Sequence, residues 1–158
     1  MSEHVERYAG FASFLCEQGF VVCANDHIGH GKTVSSAEDL GHMPLEAGED
    51  VLIADVQTLR ETVLDRLSVQ CDMRVSGIPY VIFGHSMGSF VTRVFLTRHA
   101  FGVRAAVLCG TGHQARALSS AGRALTRSLA KKHGERYVSS FVDGLGAGAY
   151  GKAIKGAK

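Results

Sequence analysis

The chain predicts an α/β fold in which a largely parallel sheet carries helices on both faces. Three observations point there. Helix-period and strand-period segments alternate, short apolar runs end in glycine-containing loops, and Gly84-His85-Ser86-Met87-Gly88 stands between one such run and a helical pattern. Right-handed crossovers gather the strand ends after Ala24, Phe83 and Cys109 at one carboxyl edge, where open α/β sheets bind ligands.

In chain order, residues 4–18 read as an amphipathic helix with Tyr8, Phe11, Ala12, Leu15 and Cys16 on one face, stopped by Gly19. Residues 20–24 read as a strand of β-branched and apolar residues. The loop Asn25-Asp26-His27-Ile28-Gly29-His30-Gly31-Lys32 follows, too short for a G-x-x-x-x-G-K-[ST] phosphate cradle despite Gly31-Lys32-Thr33. Asp26, His27 and His30 all have catalytic potential. Such side chains in a tight glycine loop also fasten its backbone, and Asp26 and His30 are read as structural in that sense. Residues 33–45 are polar and irregular, punctuated by Gly41 and Pro44. Residues 47–67 read as a long helix in which Leu52, Val56, Leu59, Val63 and Leu67 recur every three or four positions, with its carboxylates as solvated charges mostly on other faces.

Residues 80–83 form a short apolar run between Pro79 and Gly84, and Phe90, Val91, Val94, Phe95 and Leu96 continue beyond the pentapeptide at helical spacing. Strand, tight turn and helix make G-x-S-x-G a nucleophile elbow; without them it would be a glycine-rich turn with an incidental serine. The turn is expected to strain Ser86 and to expose its Oγ at a helix N-terminus, where free N–H groups favour developing negative charge. Gly84 and Gly88 are expected to spare the neighbouring strand and helix a clash. A third strand over residues 105–109 leads into Gly110-Thr111-Gly112. Residues 113–132 then read as a basic helix with Ala117, Leu118, Ala121, Leu125 and Leu129 on its apolar side. The tail from Gly134 has six glycines in 25 residues, and only a short helix near 136–142 stands out in it.

The net charge of +2 conceals an asymmetry: residues 1–92 carry 5 Lys/Arg against 13 Asp/Glu, and residues 93–158 carry 12 against 2. Such polarity can mark an anionic partner, complementary surfaces or solvated faces. The basic residues are scattered without interleaved aromatics, which argues against a nucleic-acid site. No apolar run approaches the roughly 18–20 residues of a membrane span, and the N-terminus lacks a signal-peptide layout. Cys16, Cys23, Cys71 and Cys109 have no C-x-x-C spacing, and Cys23 and Cys109 fall in expected strands. Buried free thiols are therefore expected, in keeping with a cytoplasmic location. No cofactor and no metal is expected.

Three stretches together resemble α/β-hydrolases of the monoacylglycerol lipase/lysophospholipase group, also described as serine aminopeptidase-like. They are Ser2-Glu3-His4-Val5-Glu6-Arg7-Tyr8, then Gly19-Phe20-Val21-Val22-Cys23-Ala24-Asn25-Asp26-His27-Ile28-Gly29-His30-Gly31, then Val81-Ile82-Phe83-Gly84-His85-Ser86-Met87-Gly88-Ser89. The resemblance implies Ser86 as the acyl-accepting nucleophile and the Met87 backbone N–H as one oxyanion-hole donor, with the second donor at the position of Met1. It also implies departures. A strand ending in His-Gly precedes the Met1 position in this group and lies between the strands ending at Ala24 and Phe83. The triad Asp and His come after the cap. His85 neighbours the nucleophile but points away in an elbow, His113 follows the wrong strand, and His27 and His30 match structural positions.

The expectation is thus a partial α/β-hydrolase fold lacking its first strands and C-terminal half, with a core over residues 1–133 and the start of a cap region or a disordered tail over 134–158. Carboxylic-ester hydrolysis through an acyl-enzyme on Ser86 is implied, on monoacylglycerol or lysophospholipid-like substrates and incomplete in this chain alone. The alternative is a non-catalytic remnant that binds a partner completing its sheet. A weaker third reading is an anion-binding module using the basic half. Self-association through exposed strand edges is expected in either of the first two cases.

Overall fold

A computed structural model describes residues 3–44, 46–72 and 74–145. It divides into two compact units, one ending at Thr111 and one beginning at Gly112.

The first unit opens with a 3₁₀ turn, Val5–Tyr8, that runs into α1, Ala9–Glu17. Gly19 ends the helix at φ +86°, a backbone setting that costs glycine little, while Gly19 N–H still reaches Cys16 O at 2.9 Å. After short 3₁₀ turns at Gly31–Thr33 and Ala37–Asp39 comes α2, Gly48–Gln70. Strand β1, Tyr80–His85, leads directly into α3, Met87–His99, and β2, Val103–Cys109, returns parallel to β1. The register pairs Val81 with Ala105, Phe83 with Val107 and His85 with Cys109.

Alternation along β1 assigns its two faces. Ile82 and Gly84 are buried beside α3, and Leu52, Ile53, Ile82, Val91 and Phe95 form the core there. Val81, Phe83 and His85 point the other way, where Phe11 of α1 meets Phe83 with ring centroids 5.4 Å apart. The α3 side of the strand pair is thus packed, while on the other side α1 meets β1 at Phe83 and leaves Val81 and Val107 exposed. The Arg60 side chain anchors α2 to this layer: it donates to Phe101 O at 2.9 Å and lies 4.6 Å from the Tyr80 ring centroid. On α3, Val91 and Phe95 turn inward and Phe90 and Val94 stay exposed, so the apolar stripe expected there is narrower than its composition.

Two expectations are corrected. Residues 20–24 join no ladder; the sheet of the described residues has two strands, β1 and β2. A strand is defined by its neighbour, and a β-branched run without one supplies no hydrogen-bonded pairing. Cys23 and Cys109 are exposed rather than buried, for a related reason: an apolar sheet segment is buried only where a layer is packed over it. All four cysteines are unpaired. Although Cys23 is exposed as a residue, its neighbours shelter the thiol enough that burial raises its pKa. Boundaries also move: the third strand begins at Val103, two residues earlier than read.

The second unit holds α4, Arg116–His133, and α5, Ser140–Leu145. Lys131, Lys132 and His133 occupy the last turn of α4, where cations complement the partial negative charge of the helix end. His133 stacks on Tyr137 at 4.4 Å. The short helix lies at 140–145 instead of 136–142.

Candidate active site

Ser86 occupies the single-residue corner between β1 and α3. Its φ of +52° and ψ of −117° lie in a region that side chains other than glycine rarely enter, at a cost of about 1–3 kcal/mol. Three backbone contacts hold the corner. Ser86 N–H donates to Cys109 O at the end of β2 (2.9 Å), and Ser89 returns both its N–H (3.0 Å) and its Oγ–H (2.6 Å) to Ser86 O. Ser89 is fully buried, so that hydroxyl is an internal brace rather than a solvated group. The Ser86 residue itself is exposed. Met87 N–H, the first of α3, is among the four N-terminal amides without an intrahelical acceptor.

The two glycines of the pentapeptide differ in what they allow. A Cβ on Gly84 would lie 2.5 Å from Gly88 O and 2.5 Å from Thr92 Oγ1, so only a hydrogen there lets α3 pack this close to β1. A Cβ on Gly88 would meet nothing within 4 Å. The clash expected at Gly88 is absent because no further backbone stands on that side among the described residues.

The glycine loop is fastened chiefly by Asp26. Its Oδ1 accepts Val5 N–H at 2.8 Å and its Oδ2 accepts Lys32 N–H at 2.9 Å, tying the loop to the start of the chain. The Lys32 and Val5 amides hold the carboxyl below the usual Asp range. Gly31, at φ +50°, is required for that approach, since a Cβ there would fall 2.1 Å from Asp26 Oδ2. His30 is 5% exposed, and its Nδ1 lies 2.9 Å from Ile28 O. A carbonyl only accepts, so Nδ1 carries a proton, while Nε2 is buried and unpartnered. Thr33 Oγ1 accepts His30 N–H at 3.1 Å and lies 2.8 Å from His27 O and 2.6 Å from His30 O. The His27 Nδ1 is likewise buried without a partner; burial, then the nearby His30, pushes its pKa down against the opposing pull of Asp55 and Asp26.

Sequence reasoning passed over a group on the other side of the elbow. Tyr8 O–H donates to Glu3 Oε2 at 2.6 Å, Arg7 pairs with Glu3 Oε1 at 3.1 Å, and the Tyr8 ring tilts onto the His85 ring with centroids 6.5 Å apart. The hydrogen bond from Tyr8, then the charges of Arg7 and His85, lower the Glu3 pKa against burial. Burial, then the bond to Glu3, pushes Tyr8 up to about 12. These residues lie within the stretch 2–8, but neither helical periodicity nor motif marks a tyrosine and a glutamate five positions apart as partners.

No histidine ring among the described residues is hydrogen-bonded to Ser86 Oγ. His85 is exposed on the side of Tyr8, and His113 belongs to the second unit. Met1, the position of the second oxyanion donor, lies outside the described residues. No group of three or more His, Cys, Asp or Glu among the described residues could hold a metal ion.

The sequence pattern described as "Serine aminopeptidase, S33" matches residues 1–149. Human monoglyceride lipase is 31% identical over 90 residues, which are 56% of this chain and 25% of the lipase. The crystal structure of a highly thermostable carboxyl esterase from Bacillus coagulans, solved in complex with glycerol, superposes with a TM-score of 0.68 at 29% identity. That superposition covers 90% of this chain and 43% of the esterase, so the chain spans less than half the length of the relatives it matches. With the α/β architecture and the G-x-S-x-G corner, these likenesses establish that the chain belongs to the serine aminopeptidase family of α/β-hydrolases.

Proposed function

We propose that Ser86 is the nucleophile of a carboxylic-ester hydrolase acting on monoacylglycerol or lysophospholipid-like substrates. The observation that carries the reading is the corner itself: a non-glycine residue at φ +52°, exposed, between the end of β1 and the N-terminus of α3. In the reaction, Ser86 Oγ attacks the ester carbonyl while its proton passes to a histidine base. The alcohol leaves with that proton, and water then cleaves the acyl-enzyme. Met87 N–H is aimed at the oxygen that becomes negative, a contact worth a few kcal/mol in the transition state. The triad Asp and His are those that the family resemblance puts after the cap, and residues 134–158 are read as the start of that cap or a disordered tail. The likeness to a monoglyceride lipase and a carboxyl esterase favours a small ester over a peptide bond. A cytoplasmic location belongs to the same proposal and rests on four unpaired thiols.

A second reading has its own observation. Residues 20–24 join no ladder, and Phe20, Val21, Phe83 and Val107 are exposed, which favours a remnant whose sheet is completed by a partner. One experiment separates the two. The purified chain is treated with a fluorophosphonate, with imidazole added as an external base, and hydrolysis of a short-chain p-nitrophenyl ester is followed in parallel. Phosphonylation at Ser86, absent in Ser86→Ala, is expected, with ester turnover by the chain alone below about 1 s⁻¹. Equal labelling of the Ser86→Ala variant would sink the nucleophile assignment.

A further inference from the structure

Resting on the assignment of Ser86 as nucleophile, we infer that Tyr8, oriented by Glu3, is a positioning residue that sets the elbow through the His85 ring. His85 is the last residue of β1 and its backbone carries the peptide that enters the strained corner. The ring has two neighbours. One is Tyr8, with its ring 6.5 Å away and tilted by 59°. The other is Gly110, where an added Cβ would fall 3.3 Å from His85 Cε1 and 3.6 Å from Ser86 N. Gly110 directly follows Cys109, whose carbonyl accepts the Ser86 amide at 2.9 Å. Tyr8, His85, Gly110 and Ser86 thus form one chain of contacts, and the outermost member is fixed by the 2.6 Å bond to Glu3 and, behind it, Arg7.

The physical case is that φ +52° at Ser86 persists only while the surroundings hold it there. The two bonds from Ser89 hold the outgoing carbonyl, and the incoming 85–86 peptide is held by the Ser86 N–H bond to Cys109 O together with the His85 side chain. An aromatic ring leaning on it restricts the ring without touching substrate. Loss of that contact lets the 85–86 peptide relax, which displaces Oγ relative to Met87 N–H. Small misplacements of a reacting atom cost up to about a hundredfold in rate. Tyr8 is only part-buried, and its hydroxyl is directed at the Glu3 carboxylate.

The test is a double-mutant cycle on the second-order rate of Ser86 phosphonylation by a fluorophosphonate in imidazole, with amide hydrogen exchange at Ser86, Ile82 and Val107 measured alongside. Tyr8→Leu and His85→Ala are each expected to slow labelling by about ten- to a hundredfold. The double variant should be no slower than the worse single one, because both remove the same constraint. Exchange at Ser86 N–H should quicken while that at Ile82 and Val107 is unchanged. Glu3→Gln should give a smaller slowing, about threefold, and it decides the matter if Tyr8→Leu does not fold. Multiplying effects in the double variant, equal quickening of all three amides, or an unchanged rate in Glu3→Gln would each overturn the inference. A parent chain unlabelled at Ser86 overturns the nucleophile assignment and this inference with it; a labelled parent with multiplying effects overturns this inference alone.

Discussion

At the scale of single residues, His27 links the stability of the fold to pH. Its folded-state pKa lies below the ordinary 6.5 because burial disfavours the imidazolium, and the neighbouring His30 adds to that. The sign follows from proton counting. Between the lowered folded value and 6.5 the unfolded chain binds a proton that the folded chain refuses, so stability is fully present above about 6.5 and declines as pH falls through that window. His27→Gln is expected to flatten the dependence of Tm on pH below about 6.5, where the parent should lose stability steadily. An equally steep slope in both would show that another group governs it. Asp26 acts in a separate, lower range. Its depressed pKa stabilises the fold above the ordinary Asp value and loses that contribution as pH falls through the folded one, so the two effects are separable by titration.

Among elements, the pairing of β1 with α3 rests on Gly84 and not on Gly88. Gly84→Ala is expected to destabilise by about 1–3 kcal/mol or more, because the new methyl would press on Gly88 O and Thr92 Oγ1. Gly88→Ala, inside the first turn of α3 with open space around it, should be neutral or stabilising by about 0.4–1 kcal/mol through the unfolded chain. Urea unfolding of the two variants gives the comparison, and equal losses would contradict the packing described. This contrast shows how far residues alone carried the reading. The strand–serine–helix corner was legible because all its determinants are local: an apolar run, small residues at the turn, and helical spacing after it. The long helix over 47–67 was legible for the same reason and came out as Gly48–Gln70. Residues 20–24 have equally strong strand composition, yet pairing is a property of two segments and composition reports on one. The Asp26 clasp onto Val5, across 21 positions, left no periodic trace, and neither did the Glu3–Tyr8 bond.

For the whole molecule, the two-stranded sheet leaves the outer sides of β1 and β2 without ladder partners among the described residues, and Val81, Phe83, Val107 and Leu108 are exposed along them. Unpaired strand edges flanked by apolar side chains are templates for pairing with another chain. The purified chain is expected to self-associate at about 100 μM, and Val81→Lys with Val107→Lys to shift it toward monomer by placing charge beside those edges. Sedimentation velocity over a concentration series reports this. A parent chain that stays monomeric throughout would show that the edges are protected. No helix among the described residues is long and apolar enough to cross a membrane.

The consecutive placement of β1, α3 and β2 has a consequence for the order in which the protein forms. Their pairing closes only the stretch from Tyr80 to Cys109, a short loop with a small entropic cost, and it includes Ile82, Val91 and Phe95 from the core. During synthesis this unit has everything it needs once Cys109 has emerged. The contact of Tyr8 with His85, by contrast, joins segments far apart along the chain. The strained serine is therefore expected to form early in folding, ahead of the Tyr8 contact that bears on it.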